Sequence, residues 1–168
     1  MKTRLATSRD ARPLAAVHIC CWKETYSGIM PDAFLRSIRS ADRATMWKRI
    51  ILSRREKVFI AQVNRRVVGF AACGPAKEIT PSDWEIFALY VLKNSQGRGI
   101  GSLLWNRCLG HLARRGCETF HLWSLEKNDS ANRFYRHMGG NPCAFKPITI
   151  GGEVLAGQAY CFKIGKRH

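Results

Sequence analysis

Acidic side chains are scarce in this chain: 12 aspartates and glutamates stand against 28 lysines and arginines, a formal charge of +16. Such a chain feels polyanions, whether nucleic acid, acidic protein, membrane surface or a phosphorylated cofactor. The basic residues are scattered, in SRREK at 53–57, NRRVV at 64–68, LARRG at 112–116 and the closing IGKRH. No tract interleaves them with aromatics as a groove for single-stranded nucleic acid does, so a generally basic, solvated surface is favoured over a dedicated nucleic-acid face. Long apolar runs are missing too, and the N-terminal LAAVHICCW is short and carries a histidine, which speaks against a membrane span and a signal peptide.

There is no CxxC pair among the seven cysteines, at 20, 21, 73, 108, 117, 143 and 161. An odd set of this kind is neither a disulfide framework nor a zinc knuckle, and it argues for a reducing cytoplasm. Cys117 and His121 are four apart, as some metal ligands are, but no second ligand pair lies nearby, so no metal is expected. Internal repeats, low-complexity tracts and Pro/Gly/Ser linkers are also lacking, and residues 1–168 read as one domain.

What is present is periodicity. Thr3 to Ala6 reads as a first strand, and Ser8 or Asp10 as the cap of a helix whose face carries Leu14, Val17, Cys21, Trp22 and Tyr26 until Gly28. Pro31 opens one or two amphipathic helices with Phe34, Leu35, Ile38, Met46, Trp47, Ile50 and Ile51 inward. KVFIAQV, an Asn64-Arg65 turn and RVVGFAAC make a hairpin, GPAKEITPSD a loop, and WEIFALYVL at 84–92 a strand too apolar for an exposed edge. Ile100, Leu104, Cys108 and Leu112 step along another helix, followed by the strand CETFHLWSL. A helix with Ala131, Phe134, Tyr135 and Met138 in rhythm comes next, and a hairpin turning at Gly151-Gly152 ends the chain. Hairpins at both ends around a βαβα middle imply an α/β (α+β) fold, a mixed sheet flanked by helices.

The junction NSQGRGIGSLLW at 94–105 runs from the central strand directly into a helix. Backbone N–H groups point outward there and the helix dipole is positive. Gly97, Gly99 and Gly101 permit positive φ and let a ligand approach the main chain, and Arg98 adds charge. A Walker loop would need a lysine and a hydroxyl residue that are not in place. A dinucleotide fingerprint through Gly97, Gly99 and Ser102 would need an acid at the end of the next strand, whereas Glu118 stands at its start. A pyrophosphate held chiefly by main-chain donors fits the loop.

YVLKNSQGRGIGSLLW resembles motif A of the GNAT superfamily of acyl-CoA N-acyltransferases, Gln/Arg-x-x-Gly-x-Gly/Ala after a strand, with Gln96, Gly99 and Gly101 in its three positions. NDSANRFYRHMGG resembles the superfamily's Asn-x-x-Ala-x-x-Phe-Tyr-x-x-x-Gly-Phe helix, matching at Asn128, Ala131, Phe134, Tyr135 and Gly139, with Gly140 where phenylalanine is usual. WKETYSGIMPDAFL is similar to the N-terminal helices of many bacterial members, so the resemblance spans nearly the whole chain. It implies a mostly antiparallel sheet of six to seven strands with about four helices.

The resemblance also implies roles. The strand before the loop splays from its neighbour, and Leu89, Tyr90 and Val91 match the place where main-chain groups meet the pantetheine and the thioester oxygen. The amides of Gln96, Gly97, Arg98, Gly99, Ile100 and Gly101, with Ser102 nearby, would take the pyrophosphate of acetyl-CoA, and Asn128 would reach the pantetheine arm beside Phe134. Tyr135 matches the general acid that protonates the leaving sulfur, against the alternative of a core tyrosine. Glu85 stands where many relatives carry a glutamate that accepts the amine's proton directly or through water, though at a strand's start it can also be simply exposed. The acid common mid-strand in relatives that modify protein N-termini is replaced by Trp123, which weakens a peptide-terminus reading. Trp22, Tyr26 and Trp84 are candidates for an acceptor pocket or for core, and His18 reads as a core histidine.

The expected activity is transfer of an acetyl group from acetyl-CoA to a primary amine by direct attack in a ternary complex. A small amine or amino-acid derivative comes first as acceptor; a protein lysine or N-terminus, or aminoacyl-tRNA, stands behind it. A non-catalytic acyl-CoA- or nucleic-acid-binding module on the same fold is the rival. A homodimer stays open, a membrane partner is not expected, and the expected location is cytoplasmic.

Overall fold

A computed structural model describes residues 1–76 and 81–165 of the chain. One sheet of seven strands organises them: β1 (Lys2–Leu5), β2 (Lys57–Val63), β3 (Arg66–Pro75), β4 (Trp84–Val91), β5 (Thr119–Leu125), β6 (Asn141–Ile150) and β7 (Glu153–Lys163). Their spatial order is β1-β2-β3-β4-β5-β7-β6, and every neighbouring pair is antiparallel except β4 and β5. The apolar run of β4 thus occupies the middle of the sheet, where both of its faces are covered. Asn64 and Arg65, both at positive φ, close the β2–β3 hairpin, the geometry a two-residue turn between twisted strands requires.

Five helices cover the two faces: α1 (Ala11–Tyr26), α2 (Asp32–Ser37), α3 (Ser40–Ser53), α4 (Ile100–Arg114) and α5 (Asp129–His137). Alternation along the strands splits the core accordingly. Ile60, Phe70, Ala72 and Ala88 pack with Leu14, Val17, Cys21 and Trp47 of α1 and α3. Phe59, Ala71, Ile86, Phe120 and Leu122 pack on the other side with Ile100, Leu104, Cys108 and Leu112 of α4, the four residues spaced by four in the sequence. The salt bridge from Arg4 to Asp10, 2.7 Å, ties β1 to the start of α1.

One expectation is corrected. Cys143 and Cys161 form a disulfide across the β6–β7 hairpin, with their Cα atoms 5.8 Å apart. Eighteen residues separate the two in sequence, so only the register of the terminal strands brings them together. The remaining described thiols are free. The loop read over GPAKEITPSD lies partly at residues 77–80, outside the described residues.

Candidate functional site

Between β4 and β5 the sheet opens. The two strands are parallel and meet at one register pair, Glu85 opposite His121, beyond which β4 continues to Val91 without further pairing to β5. The amide of Leu92 donates to the carbonyl of Val68 on β3 at 2.9 Å, so alternation turns the main-chain groups of Leu89 and Val91 toward the gap. The Val91 carbonyl accepts a 3.0 Å hydrogen bond from the Gln96 side-chain amide, which folds the following loop back over the strand end.

That loop delivers the N-terminus of α4. Gly97 and Gly99 have φ of +73° and +74°, and a Cβ added to either would meet nothing within 4 Å, so the main chain there is bare and open. The first hydrogen bond of the α4 ladder runs from Leu103 N to Gly99 O, which leaves the amides of Ile100, Gly101 and Ser102 ahead of it with no intrahelical acceptor. Gly101 differs from the sequence expectation: its φ is ordinary, and its bareness instead brings the Phe134 ring of α5 to 3.5 Å from where a Cβ would be. The amide of Gln96 differs as well, since it donates to Lys93 O at 3.3 Å.

A cavity of about 460 Å³ fills the gap. Leu89, Tyr90, Val91, Gln96, Gly97, Gly99, Ile100, Gly101, Ser102, Asn128, Phe134 and Tyr135 all line it, and so does Tyr26. Arg98 does not line it and is exposed. Asn128 caps α5 by accepting from Ala131 N at 3.3 Å. Tyr135 is buried, and burial together with the neighbouring phenols of Tyr26 and Tyr160 pushes its hydroxyl above the ordinary tyrosine range, so it carries its proton at neutral pH. Trp22 Nε1 donates to the Tyr90 hydroxyl at 3.0 Å and meets Tyr26 edge-on at 5.6 Å, forming one aromatic wall from α1 and β4 in which Tyr26 and Tyr90 line the cavity and Trp22 stands behind them, outside the lining.

Trp84 is not part of that wall. β4 carries an extra residue at Phe87, because Ala88 pairs with Ala72 while Ile86 pairs with Cys73. The bulge reverses the alternation, so Trp84 and Ile86 pack on the α4 side of the sheet. Glu85 consequently shares the α1 face with Ala88 and Tyr90, beside the cavity but not in its lining. His18 is a core residue, accepting at Nδ1 from Trp47 Nε1 at 3.0 Å.

Sequence reasoning did not select Cys21, Thr25, Phe87 or Ser124 for the lining, and it treated Trp123 only as a missing acid. The helical spacing of Cys21 and Thr25 was available as a signal; the bulge that sets Phe87 was not. Among the described residues no cluster of three metal-ligating side chains occurs, and no helix is long and apolar enough to cross a membrane.

Comparison with known proteins agrees with this geometry. Residues 21–139 match the model of the acetyltransferase (GNAT) family. The chain is 34% identical over 154 residues to the N-acetyltransferase YuaI of Bacillus subtilis, covering 90% of this chain and 87% of that protein. It is 30% identical over 159 residues to Rv2775 of Mycobacterium tuberculosis, covering 89% and 87%. The yncA protein of Salmonella typhimurium, solved with its cofactor acetyl-CoA, has the same fold at 19% identity, with a TM-score of 0.76 over 100% of this chain and 96% of that one. A strand that parts from its neighbour, a glycine turn into a helix and a buried tyrosine across the gap thus coincide with sequence kinship, and the chain belongs to the GNAT family of acyl-CoA-dependent acetyltransferases.

Proposed function

We propose that the chain transfers an acetyl group from acetyl-CoA to a primary amine by direct attack in a ternary complex, with a small amine or amino-acid derivative as acceptor. The observation that carries this reading is the single cavity wall shared by the open edge of β4, the glycine turn before α4 and the buried Tyr135. The main-chain amides of Ile100, Gly101 and Ser102 at the positive end of α4 suit a pyrophosphate, and the bare backbone at Gly97 and Gly99 leaves room for it. Leu89 presents its main-chain groups to the thioester oxygen and the pantetheine, which orients the carbonyl and polarises it. Acetyl-CoA supplies the activated acyl group and a thiolate leaving group.

Tyr135 holds its proton until the C–S bond breaks and then passes it to the departing sulfur. An attacking amine must arrive neutral, and Glu85, outside the cavity lining but on its face of β4, accepts the proton through a relay of water molecules. Tyr26 and Tyr90, backed by Trp22, exclude water from the acyl group. One domain, residues 1–168, and a cytoplasmic location accompany this reading.

Release of free thiol from acetyl-CoA over a panel of amines tests it. Turnover of at least one amine is expected, together with a rise in melting temperature on adding acetyl-CoA. Tyr135→Phe should turn over more slowly by about 100-fold or more. Thermal stabilisation without turnover of any amine would instead favour a non-catalytic acyl-CoA-binding module.

A further inference from the structure

Two basic tracts far apart in the chain, SRREK at 53–57 and LARRG at 112–116, meet on the α4 side of the sheet. β2 lies under α4, where Phe59 belongs to the same buried cluster as Cys108 and Leu112. Alternation along β2 brings Lys57, two residues before Phe59, to that side as well. On α4 the residues Arg107, His111 and Arg114 follow at helical steps along one stripe, and Arg115 stands beside the last.

Distances bear out the cluster. The Arg107 guanidinium carbon lies 5.3 Å from the centre of the Phe59 ring, and the His111 ring centre 6.4 Å from it. Arg114 turns back along the helix, with Nη1 3.7 Å from the place where Gly110 would carry a Cβ, so the missing side chain of Gly110 makes room for it. Burial first, then the charges of Lys57, Arg114 and Arg115, hold His111 below the usual histidine range, and the charges acting on the ring are all positive. None of these five residues forms an ion pair among the described residues. Glu56, next to Lys57 in the chain, is buried against Gly74 and accepts from Ser53 Oγ at 2.8 Å. Arg107, Arg114 and Arg115 are exposed.

Fixed cations gathered over about two turns of helix repel one another, and a polyanion relieves that repulsion. Further features select its kind. Phe59 beneath the stripe is buried, and the exposed Phe145 lies on β6 at the far edge of the sheet, so no ring is offered there for unpaired bases to stack on. A duplex keeps its bases stacked inside and presents its phosphates to such a face. α4 lies flat on the sheet with its apolar side buried, so it does not enter the wide major groove of DNA as a recognition helix does. A compact set of cations instead matches phosphates of two strands facing each other across the narrow major groove of an A-form helix. Arginine suits them because its planar fork meets two phosphate oxygens at once.

We propose that Arg107, His111, Arg114 and Arg115 of α4, with Lys57 of β2, form a docking surface for double-stranded RNA, held through its phosphates and without regard to base sequence. None of the five residues lines the acetyl-CoA cavity, so RNA and acetyl-CoA bind together. The surface goes beyond the acetyl-transfer reading and does not depend on it: it places the protein on RNA whatever amine it modifies.

Fluorescence anisotropy with a mixed-sequence RNA duplex of about 20 base pairs, repeated over a series of salt concentrations, tests this. Contacts from Lys57 and the three arginines predict that log Kd rises with log salt at a slope of about 3 to 4, a weakening of roughly 100-fold between about 50 and 200 mM. The variant Arg107→Gln with Arg114→Gln and Arg115→Gln is expected to lower that slope by about 3, whereas lysine at the same three positions is expected to keep it. A control removes three exposed charges on the other side of the sheet, Arg12→Gln on α1 with Lys48→Gln and Arg49→Gln on α3, and is expected to leave slope and Kd nearly unchanged. Cooperative melting of each variant checks that it folds. An equal loss in the control means that net charge alone drives binding and overturns the proposal. Binding of a DNA duplex of the same sequence, of single-stranded RNA or of polyglutamate as tight as that of the RNA duplex also overturns it, as does absence of RNA binding at the lowest salt. None of these results bears on acetyl transfer, which thiol release measures separately.

Discussion

The indole N–H of Trp47 on α3 donates to Nδ1 of His18 on α1 across 3.0 Å, with both rings buried between the helices and Phe70 of β3. The bond fixes the neutral ring with its hydrogen on Nε2 and allows no proton on Nδ1. Burial, helped by the charge of Arg43, lowers the His18 pKa to about 3. The unfolded chain takes up this proton near pH 6.5 and the folded one does not, so stability contributed above pH 6.5 is lost as the pH falls from there toward 3. The slope reaches about 1.4 kcal/mol per pH unit, and chemical denaturation at pH 7 and pH 5 should show it. His18→Gln should flatten the pH dependence in this window while lowering stability at pH 7.

Gly140 stands where the motif that the α5 stretch resembles ends in phenylalanine, and β7 explains the glycine. A Cβ on Gly140 would lie 2.5 Å from Cζ of Phe162 and 2.9 Å from the Tyr135 carbonyl, so the Phe162 ring already fills that volume. Phe162 in turn stacks on Phe120 at 4.8 Å between ring centres. Gly140→Ala should destabilise by about 1–3 kcal/mol through overpacking, seen as a lower urea midpoint. It should also slow turnover, since the carbonyl it displaces belongs to Tyr135. The double variant Gly140→Ala with Phe162→Leu should recover part of the loss.

These two cases show which parts of the molecule the sequence discloses. The glycine turn and the α5 motif are local, and their residues meet in one cavity because a strand, a tight turn and a helix in succession leave little geometric choice. The helical faces of α1 and α4 were legible for the same reason, through a period of 3.6. What was hidden depends on register. The bulge at Phe87 exchanges the faces of Trp84 and Glu85, and nothing in WEIFALYV marks it. The pairing of β5 with β7 sets His121 against Cys161 and Phe120 against Phe162 across some forty residues of chain. The occupant of the space at Gly140 follows from that pairing, and the disulfide from the pairing of β6 with β7.

The Cys143–Cys161 bond closes a loop that includes the whole β6–β7 turn. For a separation of 18 residues the loss of chain entropy in the unfolded state corresponds to about 3 kcal/mol. Oxidised protein should therefore melt higher than protein treated with a reductant, and Cys143→Ser should melt alike under both conditions. Cys143 is exposed at the edge strand, so a small thiol reductant can reach it without unfolding the sheet. Thiol counting under denaturing conditions should find five free thiols before reduction and seven after.

Gly99 and Gly101 belong to one motif but resist substitution for different reasons. At Gly99 the space around a Cβ is open and the backbone is left-handed, so alanine there costs about 1–2 kcal/mol by conformation alone. If the turn relaxes to escape that cost, the amides of Ile100 to Ser102 lose their direction. At Gly101 the backbone is helical and the nearest atoms of Phe134 lie at 3.5 and 3.6 Å, ordinary contact distances, so alanine fits. Gly99→Ala should raise KM for acetyl-CoA about tenfold or more and reduce the thermal shift that acetyl-CoA produces. Gly101→Ala should leave stability within about 1 kcal/mol and change KM for acetyl-CoA by less than Gly99→Ala does, because a methyl group narrows the approach without turning the donors. Calorimetric titration of both variants with acetyl-CoA measures the difference. A larger loss at Gly101 than at Gly99 would mean that clearance beside Phe134, rather than the left-handed turn, governs binding of the pyrophosphate.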